Sequence, residues 1–597
     1  MKIAFSMLHF ALVRNFEAVV RALAERGHHI HLSADEPEAL GGQEAVARLA
    51  AEYPGITWDF APAFDDEPWH HAVSRLRIAL DLVRFSGREY AGSPKLRRRY
   101  MERAPRVVRH LLPLTGAGVW KSALTSVERL APRSAAGDAY WRRIAPDVLL
   151  LTSLTVSRSR QMDHLKTARV LGIPVAACIA SWDHLSSKAL LHIAPDLTVV
   201  WNDVQVREAI DLHGLAADRV VATGAQCYDG WFGRQPHRSR EDFCRAMGLR
   251  PDRPFVLYVC SALTPAPEPR EPVFVRRWIE ALRQDPGLRD VGVLVRPHPE
   301  RRRDWDGVSL DGLPQVAFYG SNPIDEDSKN DYFDSLHHSG AVVGVVTSAF
   351  LEASIVGRPI LTVLVPEYRS HQEEMVHFQY LLQVDGGILR TAPDLDAHRP
   401  QLHAAVASQQ GRDEQNRRFL TTFVRPRGLE EAATPAFVAA VERLGAEGAG
   451  PRDPALVGSP VLRRGAAYAT GALGGTKLGR WLLMDTREEA NVAIERVKAR
   501  ERQARAAENK ARLREERRER DARVQAKQDV RRSKARRRAW RQLRGQVRSV
   551  AWRTMKGTLH RARRVLRPVT ALRTPAAPGD ASGDTVVPKR DEVAIEK

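Results

Sequence analysis

The chain has 597 residues, 43% of them hydrophobic and 7% aromatic, with a formal net charge of +20. That length exceeds what one hydrophobic core organises, so two or three domains are expected, and no apolar run approaches the roughly 20 residues of a membrane-spanning helix. The charge is local: residues 485–573 hold 30 Lys or Arg against 11 Asp or Glu, whereas residues 1–484 carry a net charge of only +3. A near-neutral folded part therefore precedes a basic tail. The four cysteines (Cys178, Cys227, Cys244, Cys260) have neither C-x-x-C spacing nor histidines at zinc intervals. This excludes a disulfide framework and a thiolate metal cluster as organising features and suits a reducing compartment.

The first element is a short apolar strand over 2–9. A helix over 15–26 follows, with Phe16, Val19, Val20 and Leu23 at helical spacing, then Gly27 as a C′ residue and a strand over 28–33. A β-α-β start predicts a parallel sheet. Arg14, Glu17 and Arg21 follow the first strand directly with no small-residue cleavage site, so this is the beginning of a fold and not a signal peptide. His9 ends the first strand and is a candidate base or acceptor contact, or simply a hydrogen bonder at the helix entry. Residues 65–140 read as a charged helical insertion, with Trp69, Tyr90, Tyr100 and the run Arg97–Arg99, that covers or receives an acceptor. The sheet resumes over 147–152, with a helix over 160–171 and a buried strand over 173–180. That strand ends in Ser181-Trp182-Asp183-His184-Leu185-Ser186-Ser187-Lys188, where Asp183, His184 and Lys188 bring acid, base and cation together at a strand's carboxyl end. A strand over 197–201, a helix over 204–213 and a strand over 220–224 complete a first domain, 1–235.

A loop-rich stretch over 233–250 separates it from a second domain, 236–446, with strands expected over 255–260, 291–295, 316–318, 341–346 and 360–365 and helices over 273–284, 331–338 and 350–356. The run Val291–Pro299 is the most informative. Five apolar residues read as a strand buried on both faces, and Pro297 and Pro299 end it, presenting Arg296 and His298 at the carboxyl edge where open α/β sheets bind ligands. At the next such edge Thr347 and Ser348 stand where strand becomes helix, with Glu352 one turn along from Ser348. Hydroxyls and free N–H groups there suit a phosphate, and the carboxylate suits ribose hydroxyls; a plain N-cap explains the two hydroxyls equally well. Asp304-Trp305-Asp306 has the letters of a D-x-D metal motif but lies in an arginine-rich loop with no strand before it, so no metal is expected.

Residues 447–484 read as a Gly-, Ala- and Pro-rich linker, and 487–538 as a long exposed helix or coiled coil without a clean heptad. From 531 to 573 there are 16 basic residues and no acidic one, with Trp540 and Trp552 among leucines and valines on one side. Such a segment suits an anionic membrane surface, and its arginines also suit nucleic acid. The final residues, 574–597, read as disordered.

Two consecutive Rossmann-like halves with motifs at facing strand ends resemble the GT-B architecture of nucleotide-sugar transferases, non-hydrolysing sugar-nucleotide 2-epimerases and CDP-glycerol glycerophosphotransferases. Arg296-Pro297-His298-Pro299, and Thr347-Ser348 followed by Glu352, Gly357 and Pro359, are similar to the donor-binding half of that group. In glycerophosphotransferases the first half carries a W-H-G-T-P-x-K loop. Here Trp182 and Lys188 keep that separation, Asp183 stands where its histidine would be, and His184 follows. The resemblance, which covers about residues 1–445, implies an α/β fold of two parallel-sheet domains facing a cleft. It also implies a transferase moving a sugar or alditol phosphate from a UDP- or CDP-linked donor, with no tightly bound cofactor. The acceptor would be a cell-envelope polysaccharide or a lipid-linked one. Asp183 or His184 would be the base, with His9 a further candidate. Arg296 and His298 would act on the leaving phosphate, Thr347, Ser348 and Lys188 would bind the donor, and Glu352 would hold the ribose. The expected location is cytoplasmic, peripheral on the inner face of the membrane. The alternatives are a sugar-nucleotide epimerase and an inactive shell whose tail binds membrane or nucleic acid.

Overall fold

The computed structural model describes residues 1–450 apart from 64–68, 158, 264–269 and 409–412, with isolated residues between 461 and 555. The chain divides into two compact units, Met1–Glu501 and Arg502–Lys597, and every element below belongs to the first. The expected linker beyond residue 450, the coiled coil over 487–538, the basic segment 531–573 and the terminal 574–597 lie outside the described residues, isolated positions excepted.

Strands β1 (Lys2–Met7), β2 (His29–Ala34), β3 (Ile56–Phe60), β4 (Val148–Leu151), β5 (Val175–Cys178), β6 (Leu197–Val200) and β7 (Val220–Ala222) form a sheet in the order β3-β2-β1-β4-β5-β6-β7. Strands β8 (Phe255–Val259), β9 (Gly292–Arg296), β10 (Val316–Phe318), β11 (Ala341–Val343), β12 (Ile360–Val363) and β13 (Leu389–Ala392) form a second sheet, β10-β9-β8-β11-β12-β13. Every strand pair in both is parallel. The fold is α/β, with two Rossmann-like domains.

Alternation explains why continuous apolar runs became strands. Val148 and Leu150 enter one core and Leu149 and Leu151 the opposite one. In the second sheet Val256 and Tyr258 face one layer, Phe255 and Leu257 the other. Helices cover both faces, so no alternation with polar residues is possible. Gly292 opens β9 because a Cβ there would stand 2.9 Å from that of Phe255, its partner in the register.

Three features depart from the sequence reading. The edge strand β3 is half exposed, and Asp59 within it masks its pattern. Asp59 ties this edge to the helix Ala135–Ile144 by accepting from Tyr140 and from Arg143 (2.8 Å). The helix expected from 331 starts at Glu326, because Asp325 and Ser328 form a reciprocal capping box. Finally, the helix Ala433–Glu447 crosses back to the first sheet, where Phe437, Val441 and Leu444 share a core with Phe5 and Phe16. Asp229 receives its start, accepting from the N–H groups of Ala433 (2.9 Å) and Thr434 (2.7 Å).

Between β3 and β4 run the helices His70–Phe85, Pro94–Met101, Arg106–Thr115, Ala117–Leu130 and Ala135–Ile144. No helix among the described residues is long and apolar enough to cross a membrane.

Candidate active site

Strand order reverses between β1 and β4 in one sheet and between β8 and β11 in the other. A parallel sheet leaves a crevice at the carboxyl ends of the strands beside such a switch point. Here a cavity of about 760 Å³ takes residues that end or follow β1 (Arg14), β5 (Ser181, His184, Lys188), β8 (Cys260), β9 (Arg296, His298) and β11 (Thr347, Ser348).

On the first-sheet side, residues 181–188 form a short turn of helix, His184–Ser187, after β5. The insertion holds it from behind: Arg84 donates to the carbonyls of Lys188 (2.8 Å) and Leu185, and Asp81 accepts from the N–H of Leu190 (2.7 Å). His184 and Lys188 reach the cavity; Asp183 is not among its lining residues. The Asp183 carboxylate instead accepts from Ser181 Oγ (2.6 Å) and pairs with Lys188 Nζ (3.5 Å). Burial opposes its ionisation, but Lys188, His184 and His377 hold it well below the usual carboxylate range. Burial pushes His184 down to about 4, so its imidazole is neutral near pH 7, and its Nδ1 is buried without a hydrogen-bond partner. Trp182 is buried and meets the ring of His377 edge-on at 5.0 Å, so it packs this loop onto the second domain. His9 lies outside the lining and begins the 3-10 segment Phe10–Asn15, its carbonyl accepting from Leu12 N (3.1 Å).

On the second-sheet side, Arg296 is 5% exposed and its guanidinium stacks 4.8 Å from the Tyr332 ring while donating to Ser335 Oγ (3.2 Å) and the Ser321 carbonyl (3.4 Å). Gly320, at φ 139°, lies against that guanidinium, with no room for a side chain. His298 Nδ1 accepts from the N–H of Glu300 (3.3 Å), and burial lowers its pKa. The neutral ring therefore carries its proton on Nε2, as a donor. Thr347 Oγ1 accepts from Ala349 N (3.3 Å) at the start of the helix Ala349–Ile355, where Ser348 is exposed. Glu352 accepts from the Tyr332 hydroxyl, and burial raises its pKa against the opposing charges of Arg14 and Arg296.

Two facing parallel sheets with one cleft at their carboxyl edges decide the architecture. The fold is GT-B-like. No protein-family model and no curated protein matches the sequence. Among solved structures, the chain is similar to a glycosyltransferase from Rickettsia africae ESF-5, at 7% identity over 74% of this chain and 98% of that one, with a TM-score of 0.43. It is similar to a UDP-GlcNAc 2-epimerase from Neisseria meningitidis bound to UDP-GlcNAc, at 10% identity over 74% and 100%, with a TM-score of 0.43. A third is WaaG, a glycosyltransferase involved in lipopolysaccharide biosynthesis, at 12% identity over 74% and 99%, with a TM-score of 0.40. The fold assignment rests on the two sheets themselves.

The GT-B-like cleft also contains residues that the motifs did not flag. Arg14 follows β1, the same strand end that drew attention to His9, and donates to Asn322 Oδ1 (3.4 Å) across the cleft. Lys329 reaches over from the second domain to Glu17 (3.4 Å). Six cations (Arg14, Arg21, Lys188, Arg234, Arg296, Lys329) and four carboxylates (Glu17, Glu300, Glu326, Glu352) line the space. The cations outnumber the carboxylates, so the balance favours an anionic ligand. Among the described residues no group of three or more His, Cys, Asp or Glu side chains is placed to hold a metal ion. Just behind the lining, Lys95 and Arg99 lie one turn apart on the helix Pro94–Met101 and add positive charge around His377. Lys95 is 9% exposed and has no ion-pair partner among the described residues; burial pushes it down to about 7.

Proposed function

We propose that the protein is a transferase that moves a sugar or an alditol phosphate from a nucleotide-activated donor, UDP- or CDP-linked, to a hydroxyl of a polysaccharide or lipid-linked acceptor. The observation that carries this is the meeting of His184 and Lys188 from one parallel sheet with Arg296, His298, Thr347, Ser348 and Glu352 from the other in a single cavity. The donor's diphosphate takes the hydroxyls of Thr347 and Ser348 and the surrounding cations. Glu352 holds the ribose, using the oxygen that Tyr332 leaves open. His298 donates through Nε2 to the leaving phosphate, where negative charge grows in the transition state.

His184 replaces Asp183 as the favoured base. The acceptor proton passes to its imidazole, the acceptor oxygen bonds to the transferred group, and the nucleotide leaves with the bonding electrons. Asp183 stabilises the imidazolium so formed as a fixed negative neighbour, itself anchored by Lys188. Arg296 is fixed beside the phosphate by Ser335, the Ser321 carbonyl and the Tyr332 ring, and it supplies positive charge there.

The test has two arms. Nucleotides screened by thermal shift on the full chain stabilise it when they bind the native state, and a pyrimidine nucleotide is expected to lead the panel. His184→Ala and His298→Ala each lower transfer about 10²–10⁴-fold, the range of a lost proton donor or acceptor. Full transfer by both variants, or no stabilisation by any nucleotide, overturns the reading. Turnover of a nucleotide sugar with no acceptor present assigns the cleft to epimerisation.

A further inference from the structure

Exposed large apolar side chains collect on one helical hairpin of the insertion. The helices Arg106–Thr115 and Ala117–Leu130 are joined by Gly116 alone, at φ 81°. Their inner face is satisfied, with Val108, Leu112 and Leu124 buried and the Trp120 indole donating to Thr115 Oγ1 (2.6 Å). A second apolar set faces water: Leu114 is 79% exposed, Val119 64%, and Leu111 and Val127 40% each. Leu114 and Val119 flank a tip of Thr115, Gly116, Ala117 and Gly118 that carries no charge.

The surroundings of the hairpin are basic. Residues 94–133 hold ten Lys or Arg and two acidic residues, Glu102 and Glu128; Lys95 is buried and Arg133 pairs with Asp138, while Arg97, Arg98, Arg103, Lys121 and Arg129 are exposed. Glu128 is fully buried, paired with Arg77 (3.0 Å) and Lys166 (2.7 Å), so it contributes nothing at the surface. An apolar protein partner accounts for the leucines and valines but not for this charge. A nucleic acid accounts for the charge but not for aliphatic side chains at an uncharged tip. An anionic bilayer accounts for both, because apolar side chains enter the acyl boundary while arginines meet headgroup phosphates.

We propose that the hairpin 106–130 docks on an anionic lipid bilayer, with Leu114 and Val119 entering the interface. Docking stands on exposure and charge alone. Combined with the transferase reading, on which this extension rests, it makes the acceptor a membrane-anchored one, brought to the same insertion whose helix His70–Phe85 clamps the 181–188 turn through Arg84.

The experiment is hydrogen–deuterium exchange on the full chain with vesicles of equimolar phosphatidylglycerol and phosphatidylcholine, and with phosphatidylcholine alone. Anionic vesicles are expected to protect peptides within 106–130, and neutral vesicles are not. A double variant with Leu114→Glu and Val119→Glu changes only exposed positions; it should melt as the wild type does and lose that protection. Three results overturn the proposal: no protection over 106–130, protection confined to the basic segment beyond 531, or protection unchanged in the double variant. Nucleotide stabilisation measured without lipid is independent of all three, so its absence faults the transferase reading and leaves docking intact.

Discussion

Asp183 and His184 are adjacent, and burial disfavours the charge of each, yet they end in opposite states. The carboxylate is kept ionised by Lys188 against burial, while the imidazole is kept neutral by burial and by the same lysine. Lys95 shows the cost of a cation held with no pairing partner. Its pKa falls from 10.5 in the unfolded chain to about 7 in the fold. Below pH 7 both states hold the proton, and the full penalty of burying the charge is present. Between 7 and 10.5 the unfolded chain binds more protons, so stability rises with pH and the penalty fades. Lys95→Met is therefore expected to stabilise the protein at pH 6 by about 1–2 kcal/mol, the full linkage value being reduced by solvent screening of a partly hydrated ammonium. The gain should shrink steadily toward pH 10 in denaturant melts. A gain independent of pH would mean that packing and not charge is responsible.

At the scale of elements, the insertion is held to the first sheet by an ionic cluster. Arg77 from the helix His70–Phe85 pairs with Glu128 (3.0 Å) and Asp163 (2.8 Å), and Lys166 pairs with Glu128 (2.7 Å). All four side chains are buried or nearly so. Burial opposes ionisation of Asp163, yet Arg77 holds it down at about 2. Its contribution to stability is present above about pH 4 and is lost as pH falls toward 2. Glu128→Ala leaves two buried cations facing one carboxylate, and breaking a buried pair in this way costs about 3–5 kcal/mol. Equilibrium unfolding in urea at pH 7 checks this, and a loss below about 1 kcal/mol would place the cluster in water. The helix Val376–Gln383 makes a second junction, its Tyr380 hydroxyl donating to Glu208 (2.5 Å), a carboxyl that burial raises to about 7.

For the whole molecule, the decisive element is the helix Ala433–Glu447. It follows the second sheet in sequence but belongs to the core of the first, where its Phe437 ring meets Phe16 at 6.1 Å. Leu444 is 4% exposed in that core. Leu444→Ala is expected to cost about 2–5 kcal/mol. Because the helix joins both domains, the variant should lower one shared unfolding transition, seen by calorimetry. Two transitions moving independently would mean that the crossover does not couple the domains.

The sequence by itself determined the two parallel sheets and the edges where chemistry collects. Apolar runs, and the prolines, glycines and polar residues that end them, are local signals, so β9, Arg296 and His298 were legible. The turn after β5 was legible as a site, but not which of its residues enters the cleft. That depended on the insertion clamping the turn through Arg84 and on the charges packed around it. The edge strand β3, the crossover helix, the reach of Arg14 and the exposed face of the hairpin were decided only by tertiary structure. Each depends on which distant surface covers a residue, and burial and pKa are properties of that neighbourhood and not of the residue's place in the chain.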